Sequence, residues 1–295
     1  MSILSSGNRL LSGIAAGLFG ILFISLGGWW FTLALGVIVH LGLLEFFRMA
    51  KFTGIRPATK TTLVACHLLL ISTQLSVNGI LPSELAFAVL PLSGAAICCW
   101  LLLQPITGSI ADIASSIFGL FYLGFLPSHW LKLRNLRDIS SQNGFEFSSP
   151  DSFAPMATGL FITIAVCLMI VAADIGSYFL GKHFGKKPLT PISPSKTVEG
   201  AIGGLICSIL VGALCLESLG FRFGFFWGGF LGALVALFAL VGDLTESMMK
   251  RSAGIKDSGD VIPGHGGILD RIDSYLFTPA VVYYIFIMMG YFLTV

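Results

Sequence analysis

The sequence concentrates its charge in one place. From Asp243 to Asp273 it reads DLTESMMKRSAGIKDSGDVIPGHGGILDRID, and these 31 residues hold six of the chain's 15 carboxylates and four of its 17 Lys and Arg residues. Asp270 and Asp273 are three apart, which puts them on one face of a helix. Asp243 lies at the end of an apolar run and can point at the same place. Carboxylate oxygens so arranged suit Mg²⁺, a hard cation that takes oxygen ligands and bridges to substrate phosphates. Lys250, Arg251, Lys256 and Arg271 supply positive charge where a phosphoryl displacement develops negative charge. The run Pro263-Gly264-His265-Gly266-Gly267 lets backbone approach a ligand and adopt positive φ. The plainer alternative is a charged interfacial hairpin that pairs with itself.

Two further features could join such a site. Asp174 falls near the end of an apolar run, and a carboxylate within a membrane span is costly enough to be functional or paired. Its simpler role is to pair with a lysine of the following loop. That loop contains Lys182, Lys186 and Lys187 and ends in Ser193-Pro194-Ser195-Lys196-Thr197-Val198-Glu199-Gly200. Ser195, Lys196 and Thr197 stand directly before a predicted helix, whose first amides together with Lys196 can hold a phosphate. The spacing is not that of a P-loop. Ser195 or Thr197 acting only as a helix cap is the alternative.

These residues must be positioned by elements in a membrane. The chain is 55% hydrophobic and 11% charged, against roughly 25% charged residues for a soluble domain. A helix needs about 20 apolar residues to cross the hydrocarbon core. Segments near 10–26, 29–47, 61–81, 85–104, 113–131, 155–181, 199–218, 225–244 and 275–294 meet that requirement, which predicts an all-α polytopic protein of about nine transmembrane helices. Arg9 followed by an apolar run resembles a signal peptide, but the run continues to Phe47 and reads as two spans. Gly200, Gly203, Gly204, Gly228, Gly229 and Gly232 would let helices approach closely in lipid. The six cysteines lie in apolar stretches without metal or disulfide spacing and read as packing residues. His40, His67 and His129 read as packed and hydrogen-bonded. Glu45, Glu84, Asp112 and Glu217, at or near span ends, read as interfacial. The polar stretch 132–154 reads as a solvated outer loop.

With nine spans, 13 of the 17 basic residues fall on the side of the N-terminus and four (Lys132, Arg134, Arg137, Arg222) on the other. The positive-inside rule then makes the N-terminus cytoplasmic.

The assembled motif resembles the phosphatidate cytidylyltransferase family, also called CDP-diacylglycerol synthases. It runs Ser247, Lys250-Arg251, Lys256-Asp257, His265-Gly266-Gly267 and Asp270-Arg271-Ile272-Asp273, eleven specified positions across 27 residues, with the family's spacing throughout. Asp174 with Tyr178 and Gly181-Lys182 looks like the family's acidic span end. The segment 193–200 looks like its Ser-Pro-Lys-Lys-Thr-x-Glu-Gly, with Ser195 where the family has lysine. The likeness covers about 155–295, a catalytic region. Residues 1–154 match only as five spans and an outer loop.

The resemblance implies that CTP and phosphatidate give CDP-diacylglycerol and pyrophosphate with Mg²⁺. It puts Asp243, Asp270 and Asp273 on metal, and Lys250, Arg251 and Lys256 on phosphates within a motif that includes Asp257. Ser195, Lys196 and Thr197, with His265, Gly266, Gly267 and Arg271, would hold nucleotide or lipid phosphate. It also implies a homodimer in the lipid bilayer with the site facing the cytoplasm; the short chain reads as a protein of a bacterial cytoplasmic membrane, and no nucleic-acid partner is expected. Two other readings stand beside it. One is a CTP-dependent polyprenol or lipid kinase, and the other is a transporter using Asp174 and Asp243 as ion ligands.

Overall fold

The structure, a computed structural model, describes residues 13, 17–136, 157–221, 223–259 and 266–292. Their helices are α1 (Gly17–Leu26), α2 (Gly28–Phe52), α3 (Thr59–Val77), α4 (Ser83–Leu102) and α5 (Ile110–Arg134). After these come α6 (Ala157–Phe184), the antiparallel strands β1 (Pro188–Thr190) and β2 (Ser193–Thr197), α7 (Val198–Ser218) and α8 (Gly224–Ser252). The short α9 (Leu269–Ile272), a 3₁₀ turn at Asp273–Tyr275 and α10 (Thr278–Phe292) complete the chain. Among the described residues seven helices, α2 to α8, are long and apolar enough to cross a bilayer. The chain is an integral membrane protein. The shorter α1 and α10 coincide with the first and last predicted spans.

The chain forms two compact units, residues 1–131 with 252–271, and residues 132–251 with 272–295. In the first, α3 packs on α2, α4 and α5. Asp112, expected at an interface, is instead buried and bonded. Its Oδ2 accepts from the Ser109 amide at 2.7 Å while Ser109 Oγ accepts from the Asp112 amide at 3.2 Å, a reciprocal cap on α5. Its Oδ1 accepts from the Arg56 amide at 2.6 Å, which ties the turn after α2 to the start of α5. Inside α5 the backbone widens into a π-turn at Phe121–Phe125. Gly124 there lies against Cys66, and an added Cβ would sit 2.8 Å from its Sγ. Two of the three histidines are hydrogen-bonded as expected: Nδ1 of His67 lies 2.7 Å from the Leu63 carbonyl, and that of His129 2.9 Å from that of Phe125, while His40 packs its ring 5.4 Å from that of His67.

In the second unit α7 lies between two partners, and small residues set both crossings. A Cβ on Gly203 would lie 2.6 Å from Leu180 Cβ, and one on Gly204 2.6 Å from the Ala173 carbonyl, so α6 and α7 touch backbone to backbone. On its other face Ser208 Oγ donates to the Gly232 carbonyl at 2.8 Å. Gly212 meets Gly228 with no room for a side chain on either. Both helices thus show small residues four apart, the spacing that lets membrane helices gain dispersion and interhelical hydrogen bonds. Gly229 plays no such part, since its added Cβ would make an ordinary contact at 3.6 Å with Ile209. Gly228→Leu should therefore separate α7 from α8 and lower thermal stability sharply, whereas Gly229→Leu should shift Tm by no more than a few degrees. Thermal unfolding of the two variants in one detergent checks this contrast.

Two predicted boundaries move. Helix α8 continues to Ser252, eight residues past its predicted end, so Glu246, Lys250 and Arg251 are helical rather than part of a loop, and Asp243, expected at the span's end, lies well inside the helix. Helix α5 continues to Arg134, so Lys132 and Arg134 leave the predicted outer loop, and Lys132 Nζ lies 5.5 Å from the centre of the Tyr283 ring. Residues 137–154 of that loop lie outside the described residues.

Candidate active site

The second unit gathers most of the predicted acids and cations at one end of its helices. The hairpin β1–β2 delivers Lys196 immediately before α7. Thr197 caps that helix, its Oγ accepting from the Gly200 amide at 3.1 Å, so of the two serine/threonine candidates it takes the capping role. Ser195 is exposed on β2. Glu199 Oε2 accepts from the Lys186 and Lys187 amides at 3.0 and 3.3 Å and holds the entry to the hairpin. Arg251 reaches from α8 to the hairpin turn, its Nε donating to the Ile192 carbonyl at 3.3 Å.

Lys196 is the centre of this arrangement. Its ammonium is paired with Asp243 on α8. Burial pulls its pKa below the ordinary lysine value, while the charges of Asp273, Asp174 and Glu246 hold it up and that of Lys250 pushes it down. Asp243, Glu246 and Lys250 stand at i, i+3 and i+7 of α8 and so share a face. Glu246, absent from the predicted set, is 0% exposed and paired with Lys250. Its spacing from both neighbours was the available signal. Asp174 lies ten residues before the end of α6 and is exposed on that helix.

Asp273 enters by a close backbone approach. Gly242, next to Asp243, lies against the Asp273 carbonyl, and a Cβ at 242 would sit 3.0 Å from the Asp273 carbonyl carbon. The side chain is 8% exposed, with Oδ1 accepting from the Ser274 amide at 2.7 Å. Burial pushes its carboxyl up to about 6, with the Ser274 amide and Lys196 opposing the rise.

The predicted helical face shared by Asp270 and Asp273 is interrupted, because the α-helix ends at Ile272 and a 3₁₀ turn starts at Asp273. Asp270 belongs to the first unit and has its own partners. Its Oδ2 accepts from the Ser258 amide at 3.0 Å, Ser258 Oγ at 2.9 Å and the Gly267 amide at 2.9 Å. Gly266 has φ +79°, and a Cβ there would lie 2.9 Å from that same Oδ2. The glycine pair thus makes room for the protein's own carboxylates. Lys256, Asp257 and Arg271 are exposed, and His265 lies outside the described residues.

Sequence reasoning also missed Glu45. Read as interfacial, it is 4% exposed and accepts from three donors of the 258–269 segment. Its signal was present, since it is the one charged residue between Leu10 and Phe47.

Among the described residues no three His, Cys, Asp or Glu side chains stand close enough to hold a metal on protein ligands alone. Mg²⁺ commonly takes one or two carboxylates and completes its shell with water and substrate phosphate. Asp243 and Asp273, which share Lys196 as counter-ion, fit that demand with oxygen donors only.

Acids and lysines gathered at the ends of membrane-spanning helices define an integral membrane enzyme acting on phosphate groups. The chain belongs to the cytidylyltransferase family, whose model matches residues 7–289. It is 44% identical over 292 residues to the phosphatidate cytidylyltransferase of Synechocystis sp., covering 95% of this chain and 96% of that one. It is 40% identical over 288 residues to phosphatidate cytidylyltransferase 4, chloroplastic, of Arabidopsis thaliana, covering 93% of this chain and 72% of that one. The phosphatidate cytidylyltransferase of Bacillus subtilis is 29% identical over 282 residues, covering 94% of this chain and 96% of its own.

Proposed function

We propose that this chain is a nucleotidyltransferase that makes CDP-diacylglycerol and pyrophosphate from CTP and phosphatidate. The observation that carries the reading is Lys196, paired with Asp243 and sharing its field with Asp273, Asp174 and Glu246, within a chain of this family. A phosphate oxygen of phosphatidate attacks the α-phosphorus of CTP, and the bond from that phosphorus to the bridging oxygen breaks to release pyrophosphate. Both reactants are anionic, so cations must offset their repulsion before the atoms can meet. Lys196, Lys250 and Arg251 of the second unit take phosphate oxygens, and the family likeness gives Lys256 and Arg271 the same role. Asp243 and Asp273 would hold Mg²⁺; the family likeness names Asp270 as well, but its Oδ2 is taken by Ser258 and Gly267. Mg²⁺ supplies Lewis-acid polarisation of the reacting phosphate.

The asymmetry of 13 basic residues to four supports a cytoplasmic N-terminus and a site open to the cytoplasm. A bacterial cytoplasmic membrane agrees with the bacterial relatives, and a homodimer rests on the family likeness. The test is CTP turnover by the purified full-length protein in detergent with phosphatidate and Mg²⁺. Lipid-dependent release of pyrophosphate is expected. CDP together with a phosphorylated lipid would replace this reading with a kinase. Ion flux in liposomes without nucleotide would replace it with a transporter.

The buried acid gives the metal a pH signature. Asp273 has a folded pKa of about 6, above the ordinary 3.8. The stability this group contributes is complete below the ordinary value and lost as pH rises through 6, a cost on the order of 3 kcal/mol at neutral pH without a cation. A metal must displace the proton, so affinity for Mg²⁺ should fall about tenfold per pH unit below 6. Titrating metal-free protein with MgCl₂ in weak buffer at pH 6 should release protons, and Asp273→Asn should abolish that release.

A further inference from the structure

We propose that Glu45, on a helix expected only to span the bilayer, is a positioning residue for the loop bearing Lys256-Asp257 and Asp270-Arg271. The inference rests on the cytidylyltransferase reading above. Each of its oxygens takes one of two consecutive amides: Oε1 accepts from Ile268 N at 2.9 Å and Oε2 from Leu269 N at 2.8 Å. Ser258 Oγ adds a third contact to Oε2 at 3.0 Å. That hydroxyl is also 2.9 Å from Asp270 Oδ2, so one serine links the two carboxylates across more than 200 residues of sequence. The whole network lies within the unit formed by 1–131 and 252–271.

The backbone is shaped to admit this side chain. A Cβ on Gly259 would fall 2.5 Å from Glu45 Oε1, and one on Gly267 would fall 2.7 Å from its Cδ. Glu45 thus contacts the chain at 258–259 and again at 267–269. A carboxylate taken out of water inside a helical bundle is costly unless several hydrogen bonds compensate it. Here the three donors all come from the loop, so the same contacts that stabilise Glu45 also fix the loop. Glutamine cannot substitute, because its amide nitrogen has only protons to offer and would face an N–H donor. Aspartate is one methylene shorter. The function of Glu45 is thus to hold Ser258 and residues 267–269 so that Asp270 and the exposed lysine and arginine keep one geometry.

The test uses the full-length protein in detergent and compares Glu45→Gln with wild type in two measurements. Hydrogen exchange of the peptide covering 266–272 should accelerate at least tenfold, while peptides from α3 and α7 keep their wild-type rates. In CTP turnover with phosphatidate, kcat should fall about ten- to a hundredfold with KM for CTP changed less than threefold. Unchanged exchange at 266–272 would overturn the inference. So would loosened exchange with unchanged kcat, which would make Glu45 structural only. If Glu45→Gln exchanges quickly throughout, Ser258→Ala replaces it under the same two criteria, since it cuts the link to Asp270 without burying an unpaired charge. If Glu45→Gln loosens 266–272 but the wild-type protein never turns over CTP, the functional reading fails instead.

Discussion

Replacing Asp273 by Asn should lower kcat for pyrophosphate release by about 10²–10³-fold and raise the thermal stability of the metal-free protein at neutral pH. The two effects have opposite signs because they come from one buried charge. Losing a group that stabilises charge at the reacting phosphates costs about this much in rate. Asparagine keeps the shape and keeps an oxygen for the Ser274 amide at 2.7 Å, so the backbone that Gly242 admits has no reason to move. What disappears is a carboxylate that burial holds at about 6. Above that pH the wild-type protein carries its cost and the variant does not. Lys196 keeps Asp243 as its direct partner, so the substitution does not strand a cation. Melting curves at pH 5 and pH 7.5 separate the two contributions, with the stability gain full at the higher pH and about halved at the lower. A variant that retained kcat within threefold would remove Asp273 from the site. A variant that lost activity and stability together would make it a structural residue.

The sequence made the membrane architecture readable because apolar run length is a one-dimensional signal. The predicted spans and the observed helices differ by a few residues at most ends. The exceptions have a common physical cause. Helix α8 runs past its apolar stretch to Ser252, and Glu246 pairs with Lys250 one turn further along it, so polar residues there extend the helix instead of ending it. The hairpin β1–β2 was hidden by the proline and lysines of 186–196, which read as a loop. The motif residues were legible as a set, but their division of labour was not. Spacing places Asp270 and Asp273 together, whereas their hydrogen-bond partners differ: Ser258 and Gly267 for one, Ser274 for the other. Glu45 and Glu246 escaped because burial cannot be read from a single sequence. Each became recognisable only when its partners were in place, 213 and more residues away for Glu45 and one helical turn away for Glu246.

Lys196→Met should cost activity about 10²-fold and also make stability depend on divalent cations. Lys196 stands among Asp243, Asp273, Asp174 and Glu246, and burial already works against its charge. Its neighbours must therefore repay the desolvation, and they in turn are held in place by it. Methionine keeps most of the stem volume, so the loss is that of the charge. Removing one partner from a buried ionic cluster typically costs about 3–5 kcal/mol because the remaining charges are uncompensated. Here the remaining charges are carboxylates, which a divalent cation neutralises. Added MgCl₂ at millimolar concentration should thus restore several degrees of Tm to the variant while moving wild-type Tm much less. Binding to the folded state stabilises by mass action, and the variant offers a more negative site. Activity should not return with the metal, because the proposed mechanism also places the ammonium on a substrate phosphate. Recovery of both Tm and kcat by Mg²⁺ would reduce Lys196 to a counter-ion. Recovery of neither would mean that the acids around it do not bind the metal at all.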